Sequence, residues 1–336
     1  MSGDPEMSLN LVEESGSPEQ SEHRRHQISA FVRKYGIVLV FLVLFIVLSV
    51  SSDAFLTSRN LLNLLSQNAP IGIVACGATI VIIAGGFDLS IGAVYAFSGV
   101  VAAYVAINVD PTLGWFAGIA LGLVLGLLNG VIITRFQINS FIATLATGFI
   151  YRGIATVITG GFLVSVSNGW FKYIGNERVI GLPIPAIIFI VVAVLTGIGL
   201  ARTKYGRYVY AAGGNVEAAR LSGVRVNLVQ LGAFGFSGAC AGLAGVIAAS
   251  RVSTGQANTG VGIELAVIAA VVVGGISIKG GEGTIWRAVI GVLLIALISN
   301  GFNMLNIDPF YQAIALGTII LVAVGVDNRS RVGRSG

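Results

Sequence analysis

In a chain that is 55% hydrophobic and only 10% charged, an ionisable side chain inside an apolar block stands out. Asp88 is the foremost case. It lies in Gly85-Gly86-Phe87-Asp88-Leu89-Ser90-Ile91-Gly92, with long apolar stretches on both sides. An ionisable group at membrane depth faces protein or water, and it marks a functional candidate. Gly85 and Gly86 predict a helix break just before it. Two roles are open to the carboxylate. It can cap the helix that follows by accepting from an orphan N–H, or it can touch a solute. Glu264, in the similar Gly262-Ile263-Glu264-Leu265, reads as a second cap or as a rim contact for a partner. Asn129, Asn139, Asn300 and Asn303 fall near the ends of apolar runs. Each either hydrogen-bonds between helices or lines a polar path.

Other chemistries lack their residues. No G-x-x-x-x-G-K-[ST] phosphate loop occurs, and the glycine-rich stretch 274–281 has the wrong spacing. Energy for any transport must therefore come from a partner or a gradient. His23 and His26 sit in the N-terminal tail, and Cys76 and Cys240 lie in apolar segments without metal-ligand spacing. No catalytic residue, metal site or cofactor is expected in this chain. The net charge of +5 reads as the loop basicity that orients a membrane protein, so no nucleic-acid partner is expected.

The elements that position these residues are membrane helices. Several apolar runs are about 18–22 residues long, enough to cross a bilayer as helices that satisfy their own backbone. The expected fold is an all-α polytopic membrane protein of about ten spans. They fall near residues 35–50, 69–84, 91–109, 113–134, 140–159, 184–200, 229–250, 265–278, 284–304 and 309–326. Residues 60–65 are half-polar and read as an interfacial helix. Residues 1–34 are expected to be a flexible cytoplasmic tail, 35–326 the transmembrane domain and 327–336 a second cytoplasmic tail. Gly114, Gly118, Gly122, Gly126 and Gly130 make a smooth stripe for close helix packing. Of the 20 Lys and Arg, only Arg59, Arg152, Lys172, Arg178 and Arg251 fall outside in a ten-span arrangement. That partition puts both termini and the 201–228 loop in the cytoplasm. The Gly-Phe-Asp-Leu and Gly-Ile-Glu-Leu copies are five spans apart and hint at an inverted repeat.

The 201–228 loop holds a second candidate site. Asn215 is a good N-cap, Glu217 suits the first turn of a helix, and Gly223 suits its left-handed end. The resulting two-turn helix is too short to stand alone in water. It reads as a docking knob for a soluble partner.

Gly213-Gly214-Asn215-Val216-Glu217-Ala218-Ala219-Arg220-Leu221-Ser222-Gly223 resembles the coupling-helix loop of ABC importer permeases of the ribose/xylose/galactose type. Residues 85–92 resemble that branch's Gly-Gly-Ile-Asp-Leu-Ser-Val-Gly signature, with Phe87 and Ile91 in place of isoleucine and valine. The likeness continues through Gly255-Gln256-Ala257-Asn258 and covers about residues 50–325. It implies the type II importer architecture and a bacterial inner-membrane location. It further implies a second permease chain as homodimer partner, an extracytoplasmic sugar-binding protein, and an ABC ATPase subunit that binds ATP and magnesium itself. Gly206, Asn215, Glu217, Ala218, Ala219, Arg220 and Gly223 would serve ATPase coupling. Gly85, Gly86, Asp88, Leu89, Ser90 and Gly92 would form the signature near the pathway. The cargo would be a monosaccharide or related polyol. The competing class is a self-contained, gradient-driven secondary transporter in which Asp88 carries a proton or binds a cation. Such a carrier needs no coupling helix.

Overall fold

The computed structural model describes residues 36–308, together with positions 311, 312, 314, 315, 317, 318 and 321. The tails at 1–34 and 327–336 lie outside the described residues, as does most of the expected last span. The chain is an all-α membrane protein. Seven described helices are long and apolar enough to cross a bilayer. They are α2 (Ser58–Ile83), α3 (Ile91–Asn108), α4 (Pro111–Phe136), α5 (Ser140–Thr159), α7 (Ile184–Arg202), α10 (Val226–Val252) and α12 (Ile285–Met304). Two shorter apolar helices join them, α1 (Gly36–Ser51) and α11 (Ile263–Val273).

Three expectations change. Residues 60–65 are not a separate interfacial helix. Thr57 caps α2, accepting from the Asn60 N–H at 3.3 Å, and the helix runs on through Pro70. The eighth span is shorter than expected, because α11 ends at Val273 and Gly275 turns the chain with φ +83°. Arg152, counted with the outer charges, is not a free surface charge. It lies inside α5, where it has a structural task described below.

Small residues decide the packing. The face of α4 that carries Gly118, Gly122 and Gly126 lies on α10 and the neighbouring backbone of α3. A Cβ on Gly122 or Gly126 would overlap carbonyls of Gly238 or Phe234 on α10. Backbone-to-backbone approach of this kind replaces the hydrophobic drive that helices lack in lipid. Helix α10 thus becomes the central post, packed on α2, α3 and α4. Asp110 and Pro111 start α4 sharply: the carboxylate accepts from Thr112 N–H at 2.8 Å and Leu113 N–H at 3.1 Å.

The connection between α5 and α7 is folded. Two-residue strands β1 (Val164–Ser165) and β4 (Thr254–Gly255) pair antiparallel, as do β2 (Arg178–Val179) and β3 (Leu182–Pro183). Between them a 3₁₀ turn (Gly169–Lys172) leads into the single-turn α6 (Tyr173–Asn176). Phe171 is fully buried there, and its carbonyl accepts from Ser250 Oγ at 2.6 Å. Trp170 stacks on Tyr173 at 4.7 Å. This cap closes the bundle end opposite the 201–228 stretch.

Candidate functional site

The first helix break is real. After α2 the chain turns at Gly85, whose φ of +83° favours glycine. It then runs without regular structure to Ser90, which leaves N–H groups without helical partners. Side chains of α5 supply them: Phe87 N–H donates to Ser140 Oγ and Leu89 N–H to Thr144 Oγ1, both at 3.0 Å. Gly92 is not part of the break, because it already lies in the first turn of α3.

Asp88 is 4% exposed. Its Oδ1 accepts from Ser90 N–H at 3.1 Å and from Ser90 Oγ at 2.6 Å. Its Oδ2 accepts from Ser237 Oγ of α10 at 2.9 Å. The carboxylate therefore binds the residue before α3 rather than the N–H groups of the first turn, and it ties that residue to the central post. The network continues outward. Asn129 of α4 donates to Ser90 Oγ at 2.7 Å and accepts from the Tyr151 hydroxyl of α5 at 2.9 Å. Four helices are joined through one buried chain of hydrogen bonds. Ser237 and Tyr151 gave no signal in the sequence, where serine and tyrosine in apolar helices are unremarkable.

A second break faces the first. Beyond α10 the chain turns at Ser253 and passes β4, where Gly255 abuts Val100 and Ala103 of α3. Residues 256–262 form turns that lead into α11. Arg152 holds them, donating from Nη1 to the carbonyls of Ala257 at 2.7 Å and Thr259 at 3.3 Å. Glu264 Oε1 accepts from Gly262 N–H at 3.2 Å, while Oε2 is buried with no hydrogen-bond partner among the described residues. That oxygen sits against Gly92, where a Cβ would overlap it. The N-termini of α3 and α11 thus meet inside the bundle. Interrupted helices whose positive ends converge are a common way to build a transport pathway.

The 201–228 stretch folds as two helices, α8 (Lys204–Gly214) and α9 (Val216–Leu221). Helix α8 is tied down. The Tyr205 hydroxyl donates to the Val229 carbonyl at 2.9 Å and the Tyr210 hydroxyl to the Gly283 carbonyl at 2.7 Å. Burial pushes the Tyr205 phenol up to about 12, so it stays a donor at neutral pH. Gly206 is buried, and a Cβ there would overlap the Leu200 carbonyl. It seats α8 on the end of α7 and is not available to a partner.

Helix α9 projects. Asn215 caps it, accepting from Ala218 N–H at 2.9 Å, and Gly223 closes it with φ +82°. Arg220 and Glu217 pair at 3.5 Å on the exposed face, a contact of little energetic weight. Ala218 and Leu221 are exposed, Leu221 by 89%. Ala219 departs from expectation. It is 5% exposed and packs into the main core, because the helix must rest one side on α8 and α10. Leu221, passed over in the sequence, is the apolar group that α9 offers outward.

The asparagines separate. Asn129 belongs to the buried network. Asn300 pairs with Asn60 across α12 and α2, donating at 2.9 Å and accepting at 3.3 Å. Asn303 accepts from Gln312 Nε2 at 3.2 Å. Asn139 caps α5, accepting from Phe141 N–H at 2.9 Å. Asn129, Asn300 and Asn303 therefore hold helices together, and Asn139 faces a cleft.

Residues 60–324 match the family described as the permease component of the branched-chain amino acid transport system. The chain belongs to this permease family. It is 40% identical over 313 residues to the ribose import permease protein RbsC of Bacillus subtilis, covering 92% of this chain and 97% of the relative. RbsC of Escherichia coli K12 is 39% identical, covering 92% and 98%. The L-arabinose transport system permease protein AraH of Escherichia coli K12 is 40% identical, covering 96% and 97%. No solved structure is significantly similar.

Proposed function

We propose that the chain is the membrane permease of an ABC importer for a monosaccharide or related polyol. Helix α9 is the observation that carries this reading beyond the family. It is a six-residue helix that exposes Ala218 and Leu221 while an anchored α8 supports it. A gradient-driven carrier has no use for such an element, whereas a separate ATPase subunit needs one. Relatives named for ribose and arabinose supply the cargo class. An extracytoplasmic binding protein would deliver the sugar at the capped end of the bundle. A second copy of the chain would complete the pathway, and ATP and magnesium would be held by the ATPase. The basic residues clustered at the α8–α9 end support a cytoplasmic position for that end, and the bacterial relatives support an inner-membrane location.

The test is Leu221→Asp, a change on the exposed face of α9. It should leave the folded permease intact. Removing one buried leucine contact from the docking surface should weaken ATPase co-purification by about tenfold or more. ATP-driven uptake of D-ribose or L-arabinose should fall with it. Normal association and uptake in this variant would reject the docking role of α9. The companion Ala219→Trp is a poor probe, because Ala219 faces the chain's own core.

A further inference from the structure

Beside α9 lies a cleft of about 460 Å³ that the preceding account does not use. That size falls within the roughly 300–1,000 Å³ of small-molecule sites. Its walls come from both segments that the sequence singled out. Gly85 and Gly86 of the first break form one side, and Arg220 of α9 forms another. The end of α4, the start of α5 and the start of α10 complete it. Phe234 closes its inner end, with its ring against Gly86 and the Asp88–Ser237 contact one turn further along α10.

The polar lining has a definite character. Gln137, Asn139, Asn227 and Gln230 all face this cleft, and Arg220 is its single charged wall residue. Gln137, Asn227 and Gln230 have no side-chain hydrogen-bond partner among the described residues, while Asn139 spends only its oxygen, on the α5 cap. A hollow of about 370 Å³ shares Gln137, Arg220 and Asn227 with it and adds Arg225, so the lining continues outward past α9 and its basic residues gather at the outer mouth. Each primary amide offers two donors and one acceptor. Hydroxyl groups, which both donate and accept, match that set. No carboxylate lines the cleft to hold a cation, and one exposed arginine is a poor clamp for an anion.

We infer that this cleft binds a neutral polyhydroxylated solute on the α9 side of the bundle, the last site it occupies before release. The inference rests on the transport reading above and gives that pathway a location. Because Arg220 belongs to α9, a shift of α9 on a partner reshapes the cleft. The solute site and the docking helix therefore share a wall.

The experiment has two arms in the full-length chain, assembled with its ATPase and binding protein. In the first, Gln230→Cys is alkylated with N-ethylmaleimide in inside-out vesicles without ATP. Cys76 and Cys240 are buried and stay silent. Saturating D-ribose or L-arabinose, whichever the wild type imports, should slow alkylation by about fivefold, and equimolar sodium chloride should not. In the second, Gln230→Leu with Asn227→Leu should cut uptake of that sugar by about fivefold or more, with ATPase co-purification unchanged. Unslowed alkylation together with normal uptake overturns the site. Lost ATPase co-purification also overturns it, assigning the cleft to the docking surface. If the wild type imports neither sugar with ATP, it is the transport reading that fails. The alkylation arm, repeated with other neutral polyols as probes, then judges the cleft separately, and no slowing by any of them overturns it.

Discussion

The two breaks, whose following helices meet at Gly92 and Glu264, are built from similar residues and held in different ways. At the first, the carboxylate of Asp88 accepts three hydrogen bonds and is tied to α10. A helix of 18 residues, α3, follows it. At the second, Glu264 makes one bond to its own turn and leaves an oxygen unpartnered. The helix that follows, α11, has only 11 residues, and the approach to it is held mainly by Arg152. A buried polar group without a partner costs free energy that a partnered one does not. The first break is thus a fixed pin, and the second is the weaker seat. Where two halves must rearrange around one point, the less satisfied half is the one expected to move.

The largest effect should come from pulling the pin. Asp88→Leu leaves Ser90 N–H, Ser90 Oγ and Ser237 Oγ without their acceptor in a buried site. At about 1–3 kcal/mol for each stranded group, the loss is comparable to a whole domain's margin. The variant should not accumulate as a monodisperse protein in detergent. Asp88→Asn keeps an acceptor for Ser90, and Ser237 can turn to accept from the new amide. That change should cost about 1 kcal/mol and retain uptake. Abolished uptake in a well-folded Asp88→Asn protein would instead support a proton-carrying role. Equal stability of the leucine and wild-type proteins would erase the contrast between the breaks.

Arg152→Met comes next. It removes two charge-assisted bonds to carbonyls of the second break, each worth about 1.5–3 kcal/mol at most. The two carbonyls lie next to a cleft-lining turn where water can partly replace the donor. We expect a modest fall in melting temperature and a selective loosening of residues 256–262. A cysteine placed at Asn258 should then be alkylated several-fold faster than in the wild-type background. Unchanged labelling would mean that β4 pairing with β1, not Arg152, holds the segment.

Much of this was legible in the sequence, and the part that was not has a common cause. Apolar run lengths gave the all-α membrane class and the seven long described helices, and the glycine stripe on α4 gave a close helix contact, since both depend on local pattern. Asn215, Glu217 and Gly223 marked α9 because capping is local too. What escaped were the partners that fold topology brings in from afar. Ser237 lies 149 residues from Asp88, and Arg152 lies 105 residues from Ala257. Nothing near Ala219 in the sequence shows that α8 and α10 cover it while Leu221 stays open. The half-polar run at 60–65 misled for the same reason: Asn60 is matched by Asn300, which only the packing of α12 on α2 reveals. The charge count treated Arg152 as an outer charge, because the carbonyls that hold it inside α5 lie 105 and 107 residues away.

The smallest effect, and the sharpest test of the comparison, is Glu264→Gln. One oxygen of Glu264 accepts from Gly262 N–H, and the glutamine carbonyl can do the same. The other oxygen has no hydrogen-bond partner to lose among the described residues, only a solvent-screened attraction to Arg152, and it lies against the glycine backbone at Gly92 with no space for a larger group. An amide nitrogen there is nearly isosteric and finds the Gly260 carbonyl close by, since that oxygen also borders Gly92. The substitution should therefore be neutral or slightly stabilising, by under about 1 kcal/mol, where Asp88→Asn is mildly destabilising. A better satisfied second break should also move less readily, so uptake should fall although stability does not. Thermal unfolding in detergent and uptake in proteoliposomes, measured on the same preparation, separate the two. If Glu264→Gln destabilises as much as Asp88→Asn, the second break is no weaker than the first, and mobility must be sought elsewhere. If stability rises and uptake is unchanged, the second break is weak without being the moving part. Only higher stability with slower transport joins the unpartnered oxygen to the working motion.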